Sequence, residues 1–272
     1  MPEGPEIKIE ADKIENAIGG SRVKEVFFEQ RRLKRFAKAI KGQRVREIET
    51  RGKAMLIHFD NELSMYSHNQ LYGRWYVRPF GQVPKTNRVL RVALHCGAMS
   101  ALLYSASEIA ILTDAEIGNH PYLKRLGPDV LNESLDWRDF ANLLGERNIA
   151  RRSLGAVYLD QSVIAGIGNY LRSEILFRAQ LHPARTLSSL SGRETERLAR
   201  ATVTLSRRAY LTKGITNPPS RVQRLKKLGN KRGALRFAVF ARHGEACYEC
   251  GGKIRRIEVG GRRLYLCDTC QT

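Results

Sequence analysis

Four cysteines crowd the end of the chain as Cys247-x2-Cys250-x16-Cys267-x2-Cys270. Two CxxC knuckles at that spacing offer four thiolates to one tetrahedral cation, and soft sulfur ligands select Zn²⁺. Four protein ligands leave no position for water, so one structural ion is expected, holding a small hairpin that could not fold alone. The fifth cysteine, Cys96, is expected to be a buried, small apolar residue. At the other end the chain opens "MPEGPEI". With Met1 removed, Pro2 presents a secondary amine, and an α-amine titrates near about 8, far below a lysine. Such an amine can condense with a sugar aldehyde carbon to form a Schiff base. Glu3 and Glu6 lie within reach as acid or base. Lys53, in "ETRGKAM", follows a glycine at a strand edge and would add a second cation or acid. From these residues alone the plainer reading wins: a proline start and a surface lysine.

A second constellation is "LDQSVIAGIGNYLRSEILFRAQLHP" (159–183). Two helical stretches flank Gly166-Ile167-Gly168-Asn169, which predicts Asn169 at the N-cap of the following helix. A helix N-terminus with glycine-exposed amides is a phosphate site, although an ordinary helical hairpin would use the same residues. Near the C-terminus "GGRRLYLC" places Arg262 and Arg263 at a turn, where a cation could meet a phosphate.

The charge balance points the same way. Lys and Arg number 47 against 27 Asp and Glu, a net charge of +20. An excess of one sign this large favours a polyanion partner, and nucleic acid over an anionic membrane, because no basic amphipathic anchor helix stands out. No run is apolar enough to span a bilayer, and no secretory leader opens the chain, so an intracellular protein is expected.

Several elements must position these residues. "EIKIEADKIENAIGG" carries Ile7, Ala11, Ile14 and Ile18 at helical spacing and stops at two glycines. Up to about residue 112 short β-branched and aromatic runs follow: "RVKEVFF", "QRVREIET", "KAMLIHF", "ELSMYSH", "RVLRVALHC" and "SALLYSAS". Six or more such strands in succession imply an antiparallel sandwich or barrel. "GNHPYLKRLGPDVL" is expected to be an interdomain linker. Beyond it "DWRDFANLLGE" and a helix capped by "SGRE" at Ser191 are helical. The basic segment 217–236 lacks periodicity and is expected to be a mobile surface loop.

Together these pieces resemble the Fpg/Nei family of bifunctional DNA glycosylases over essentially the whole chain. The likeness is carried by the "PEGPE" start, the "RGK" strand, "GPD", "GIGNYLRSEIL" and the four-cysteine finger. "PEGPEI", "YSHNQLYG" and "LLYSAS" are similar to the endonuclease VIII branch rather than the formamidopyrimidine branch, whose start is typically "PELPE". The resemblance implies a two-domain α+β fold. An N-terminal antiparallel β-sandwich with an N-terminal helix is followed by a helical helix–two-turn–helix domain with a β-hairpin zinc finger. Expected bounds are 1–117 for the catalytic sandwich, 118–132 for the linker, 133–216 for the helical domain, 217–236 for the basic loop and 237–272 for the finger.

The same resemblance implies roles. Pro2 matches the nucleophile that attacks C1′ and displaces the damaged base, and Glu3 the acid that helps open the deoxyribose. Lys53 matches the lysine credited with proton transfer in β-elimination, and Arg262 the finger arginine assigned to δ-elimination. Gln70, Arg125 and Asn169 fall at DNA-contact positions, and Gln70-Leu71-Tyr72 sits where the family inserts a wedge into the gap left by a flipped base. The expected substrate is double-stranded DNA carrying an oxidised pyrimidine or an abasic site, acted on by a cytoplasmic, nucleoid-associated bacterial monomer. An oxidised-purine glycosylase of the same family and a non-catalytic DNA-binding protein are the alternatives.

Overall fold

The computed structural model describes residues 2–272, so the expectation that Met1 is removed lies outside the described residues. The first helix, α1 (Gly4–Ile18), forms where the apolar period is 3.6: Ile7, Ala11, Ile14 and Ile18 are all buried. The chain then runs through β1 (Val23–Phe28), the single-turn helices α2 (Arg31–Lys34) and α3 (Ala37–Ile40), and β2 (Val45–Arg51). There follow β3 (Ala54–Phe59), β4 (Leu63–His68), β5 (Arg74–Pro79), β6 (Leu90–Cys96), β7 (Met99–Tyr104) and β8 (Glu108–Thr113). Two four-stranded antiparallel sheets result, ordered β1-β6-β7-β5 and β2-β3-β4-β8. Phe28, Trp75, Val92 and Leu103 from the first share one core with Ile48, Ile57, Phe59 and Met65 from the second, and α1 adds its isoleucines. The expected sandwich is therefore present, with two strands more than the six runs named from sequence. Cys96 lies in this core, where burial pushes its thiol up to about 11. A capping box between Thr113 and Glu116 starts α4 (Asp114–Asn119), and a 3-10 turn at Leu123–Arg125 closes this unit.

The second compact unit consists of Glu3–Pro5 together with Leu126–Thr272. It contains α5 (Trp137–Leu144), α6 (Leu154–Val157), α7 (Asn169–Arg178), α8 (Gly192–Leu211), α9 (Pro219–Lys227) and α10 (Arg232–Leu235). Capping boxes at Asp136 and Ser191 begin α5 and α8, each with an acidic residue three places on. Helix α8 packs against α5 and α7, with Phe140, Leu171, Ile175, Leu198 and Leu205 in the shared core. The hairpin β9 (Arg255–Val259) and β10 (Arg262–Leu266) follows, and β10 packs on α7.

Two expectations about organisation are refined. The division between the units falls between Arg125 and Leu126, inside the expected linker 118–132, and neither side of it is free of structure. Gly127 N–H donates to Gln161 O, Val130 N–H to Ala165 O, and Ala165 N–H to Pro128 O, so "GPD" is tied into the helical unit. The segment 217–236 is not an aperiodic loop either, since α9 and α10 occupy most of it. Each helix is anchored by one buried leucine, Leu225 or Leu235, and Asn217 and Asn230 donate side-chain bonds to the carbonyls of Leu235 and Leu225. One anchor per helix leaves no repeating apolar face to detect.

Candidate catalytic and nucleic-acid site

Helix α7 organises the candidate residues of the second unit. Glu3 is buried, and its carboxylate accepts from the amides of Gly168 (2.7 Å), Tyr170 (2.8 Å) and Leu171 (3.2 Å). A helix leaves its first amides without intrahelical partners and carries partial positive charge there, so a carboxylate is well placed. The glycines in both motifs follow from this seating. A Cβ on Gly168 would lie 2.5 Å from the Glu3 carboxyl carbon, and one on Gly4 would lie 3.1 Å from the Gly166 Cα. Gly4 N–H donates to Gly166 O at 2.8 Å, which fixes the approach.

Two expectations about this turn change accordingly. Gly168 is the N-cap and Asn169 the first helical residue, because the capping acceptor comes from Glu3 rather than from Asn169. The amides expected to meet a phosphate are partly taken by the chain's own carboxylate. Asn169 keeps an interest of its own, since its Oδ1 is buried without a hydrogen-bond partner. The flanking helical stretch is also shorter than expected: α6 is one turn, followed by turns through residues 160–165.

Arg172, one turn further along α7, was not singled out from sequence. It is fully buried, and its guanidinium donates to the carbonyls of Gly155, Val259, Arg262 and Arg263 at 2.9–3.3 Å. Burial pulls it down to about 10; Glu3 opposes that shift and Arg262 adds to it. The backbone that presents the exposed Arg262 is thus held by a buried cation. Tyr265 N–H donates to Ser173 Oγ, and Glu174 accepts from the amides of Ala238, Val239 and Phe240, so α7 also anchors the chain leading into the finger.

The four finger thiols fit zinc. All four sulfurs lie within 4.8 Å of one another, with Cys247–Cys270 at 3.9 Å and Cys250–Cys267 at 3.4 Å. A tetrahedron with Zn–S bonds of about 2.3 Å has edges of about 3.8 Å, and an all-sulfur donor set suits that ion.

In the first unit Lys53 occupies the two-residue turn between β2 and β3, with its backbone N–H donating to Tyr122 Oη at 3.2 Å. Tyr122 packs edge-on against His68 at 5.0 Å and carries the Arg125 guanidinium 5.8 Å above its ring. His68 lies 3.6 Å from Glu108, which accepts from Tyr66 Oη and from Gln70 Nε2, both at 3.0 Å. Burial pulls His68 below its ordinary value, with Glu108 opposing and Lys53 adding, so the imidazole is neutral at pH 7. The residues Lys53, Gln70 and Arg125, far apart in sequence, are therefore linked through Tyr122, His68 and Glu108. Of these three connectors His68 and Tyr122 lay within quoted stretches and Glu108 did not, and none carries a local signal of burial.

The loop between β4 and β5 is braced at its base and exposed at its tip. Asn69 donates to Glu10 Oε2 at 2.7 Å, Ser107 Oγ donates to Gln70 Oε1 at 2.9 Å, and Arg88 donates to the Tyr72 carbonyl. Gln70 takes a φ of +49°, a left-handed conformation that costs energy for a non-glycine residue and is held by these contacts. Leu71 and Tyr72 stand 59% and 68% exposed, an apolar pair presented to solvent. Pro2 is half-buried outside any helix or strand, and Glu6 lies in the first turn of α1.

Comparisons with known proteins match three domain families. Residues 1–107 match the formamidopyrimidine-DNA glycosylase N-terminal domain, 126–218 the formamidopyrimidine-DNA glycosylase H2TH domain, and 244–272 the zinc finger found in FPG and IleRS. Among curated relatives the chain is 43% identical to the Endonuclease 8 of Klebsiella pneumoniae and 42% identical to that of Enterobacter sp. strain 638. Each match covers 100% of both chains. Among solved structures, the Lactococcus lactis formamidopyrimidine DNA glycosylase bound to DNA containing an abasic site superposes with a TM-score of 0.80 at 20% identity, covering 99% of both chains.

Proposed function

Because the chain belongs to the Fpg/Nei family of DNA glycosylases with AP lyase activity, with a structural zinc site, we propose that it excises oxidised pyrimidines from duplex DNA and nicks the strand by β,δ-elimination. The pyrimidine preference is supported by identity of 42–43% to Endonuclease 8 chains over the full length.

In this reading the Pro2 amine attacks C1′ of an extruded nucleotide, and the base leaves with the electrons of the glycosidic bond. Glu3 serves the proton at the deoxyribose oxygen as the ring opens to the iminium. The iminium withdraws electrons, C2′ loses a proton with Lys53 assisting, and the 3′ phosphate leaves; Arg262 grips phosphate for the second elimination. Leu71 and Tyr72 fill the gap in the stack, and Gln70, Arg125 and Asn169 hold the strand. The observation that carries the reading is the seat of Glu3 on three α7 amides, which fixes the residue next to the nucleophile to within hydrogen-bond tolerance. We take the working species to be a cytoplasmic, nucleoid-associated monomer.

Borohydride trapping over a panel of lesions tests this. A covalent adduct with abasic and thymine-glycol duplexes is expected, absent after Pro2→Thr. Faster release of 8-oxoguanine would overturn the substrate preference, and an adduct that survives the Pro2 change would overturn the mechanism.

A further inference from the structure

At the C-terminal end of α7, five arginines line one groove of about 480 Å³: Arg178, Arg193, Arg197, Arg200 and Arg208, with Glu196 the single acid among the lining side chains. Arg178 ends α7, nine residues and roughly 14 Å along the axis from Asn169. The other four lie on α8 at i, i+4, i+7 and i+15, one face of a helix. From Arg193 to Arg208 that face runs on the order of 22 Å.

Three of the five are held in place from behind. Arg197 Nε donates to Ala179 O at 2.6 Å, Arg208 donates to Thr216 O at 2.9 Å, and Arg200 stacks 3.7 Å over Trp137 while pairing with Glu196. Among the described residues neither Arg178 nor Arg193 meets a carboxylate. Burial, with Arg178 alongside, also pulls Arg208 below its ordinary value, the direction expected where like charges share a partly desolvated site. The guanidinium groups are strung along a line rather than converging on a point, which suits a linear polyanion better than a single phosphate. All five are arginine and none is lysine, the choice that gives bidentate contacts to phosphate.

We propose that this groove is a second binding surface for the sugar–phosphate backbone of DNA, engaging duplex beyond the segment that carries the lesion. Its length matches about six base-pair steps along one strand. The inference rests on DNA being the substrate polymer, which family membership supplies, and not on the chemistry assigned to Pro2.

The test is the double variant Arg178→Ala/Arg193→Ala, which removes no described hydrogen bond. Its affinity is measured against a short duplex just covering an abasic-site analogue and against one extending several helical turns further, over a series of salt concentrations. A control, Lys38→Ala/Lys41→Ala, loses the same net charge elsewhere. The long-duplex affinity of the arginine variant should fall roughly tenfold, with the salt slope lower by about two. Short-duplex affinity and turnover should not change, and turnover reports the active site independently. Unchanged long-duplex binding, an equal loss on both duplexes, or an equal loss in the control would each overturn the proposal. So would a loss seen only with polyglutamate as ligand, which would assign the groove to an acidic protein.

Discussion

Two β-hairpins of this molecule present a cation at a tight turn, and they are supported in opposite ways. Between β2 and β3 the turn is Gly52-Lys53, with Gly52 at φ +61°. Between β9 and β10 it is Gly260-Gly261, at φ +61° and +68°, with Arg262 immediately after. Both are two-residue connections that match the twist of the strands they join. Strand β3, however, is buried at every residue within the sandwich, whereas Arg255, Arg256 and Glu258 of β9 are exposed. The first hairpin is held by apolar burial shared among eight strands. The second belongs to a tail of some thirty residues that cannot build such a core alone: Leu264 and Leu266 lean on the helical core, and the rest relies on four thiolates and one buried guanidinium. Similar turns thus draw stability from different sources, and each source can be removed separately.

Metal loss should have the largest effect. Structural zinc contributes on the order of 10 kcal/mol to folding such modules, so Cys267→Ser, or chelation, should abolish metal content and DNA affinity together while the sandwich stays folded. Retained binding without metal would erase the contrast between the hairpins. Next is Arg172→Met, which leaves four carbonyls without their donor and should cost about 3–5 kcal/mol. Hydrogen exchange should show the loss at β9 and β10 first and leave β2 and β3 protected. Lys53→Gln should leave stability within about 0.5 kcal/mol, because its turn is held by its neighbours, yet slow strand cleavage by about a hundredfold in a gel assay. A drop in melting temperature as large as that of Arg172→Met would mean the lysine supports the hairpin rather than being presented by it.

The smallest effect is pH-dependent and belongs to the sandwich side. Burial raises the Glu10 carboxyl from 4.5 to about 7, with the bond from Asn69 opposing. Between those values the folded protein holds a proton that the unfolded chain has released. This contribution is complete below about pH 4.5 and is lost as pH rises through about 7, up to about 3 kcal/mol. Melting temperatures at pH 5 and pH 8 should differ in that direction, and Glu10→Gln should flatten the difference. An unchanged slope in the variant would place the titration elsewhere.

How much of this was legible in sequence follows from the range of each interaction. The cysteine quartet was readable because its two ligand pairs are local. The isoleucine face of α1 and the Ser191 capping box were readable for the same reason. Strand β5 was not singled out because "RWYVRP" ends in proline and carries two arginines, and α9 and α10 were missed because one buried leucine makes no period. Asn169 was expected to cap its own helix; the real acceptor lies 165 residues upstream of Gly168, and no local window can contain it. Arg172 looks like a surface charge until the fold buries it, and Glu108 meets Gln70 and His68 only across 38 and 40 residues of chain, so neither set of contacts is readable locally.

The seat of Glu3 also bears on synthesis. Residue 3 leaves the ribosome early, and the amides that receive it, at residues 168, 170 and 171, follow only after more than half the chain has been made. A polypeptide interrupted before that point has no partner for this carboxylate, so residue 3 finds its seat only in chains long enough to contain the helical unit.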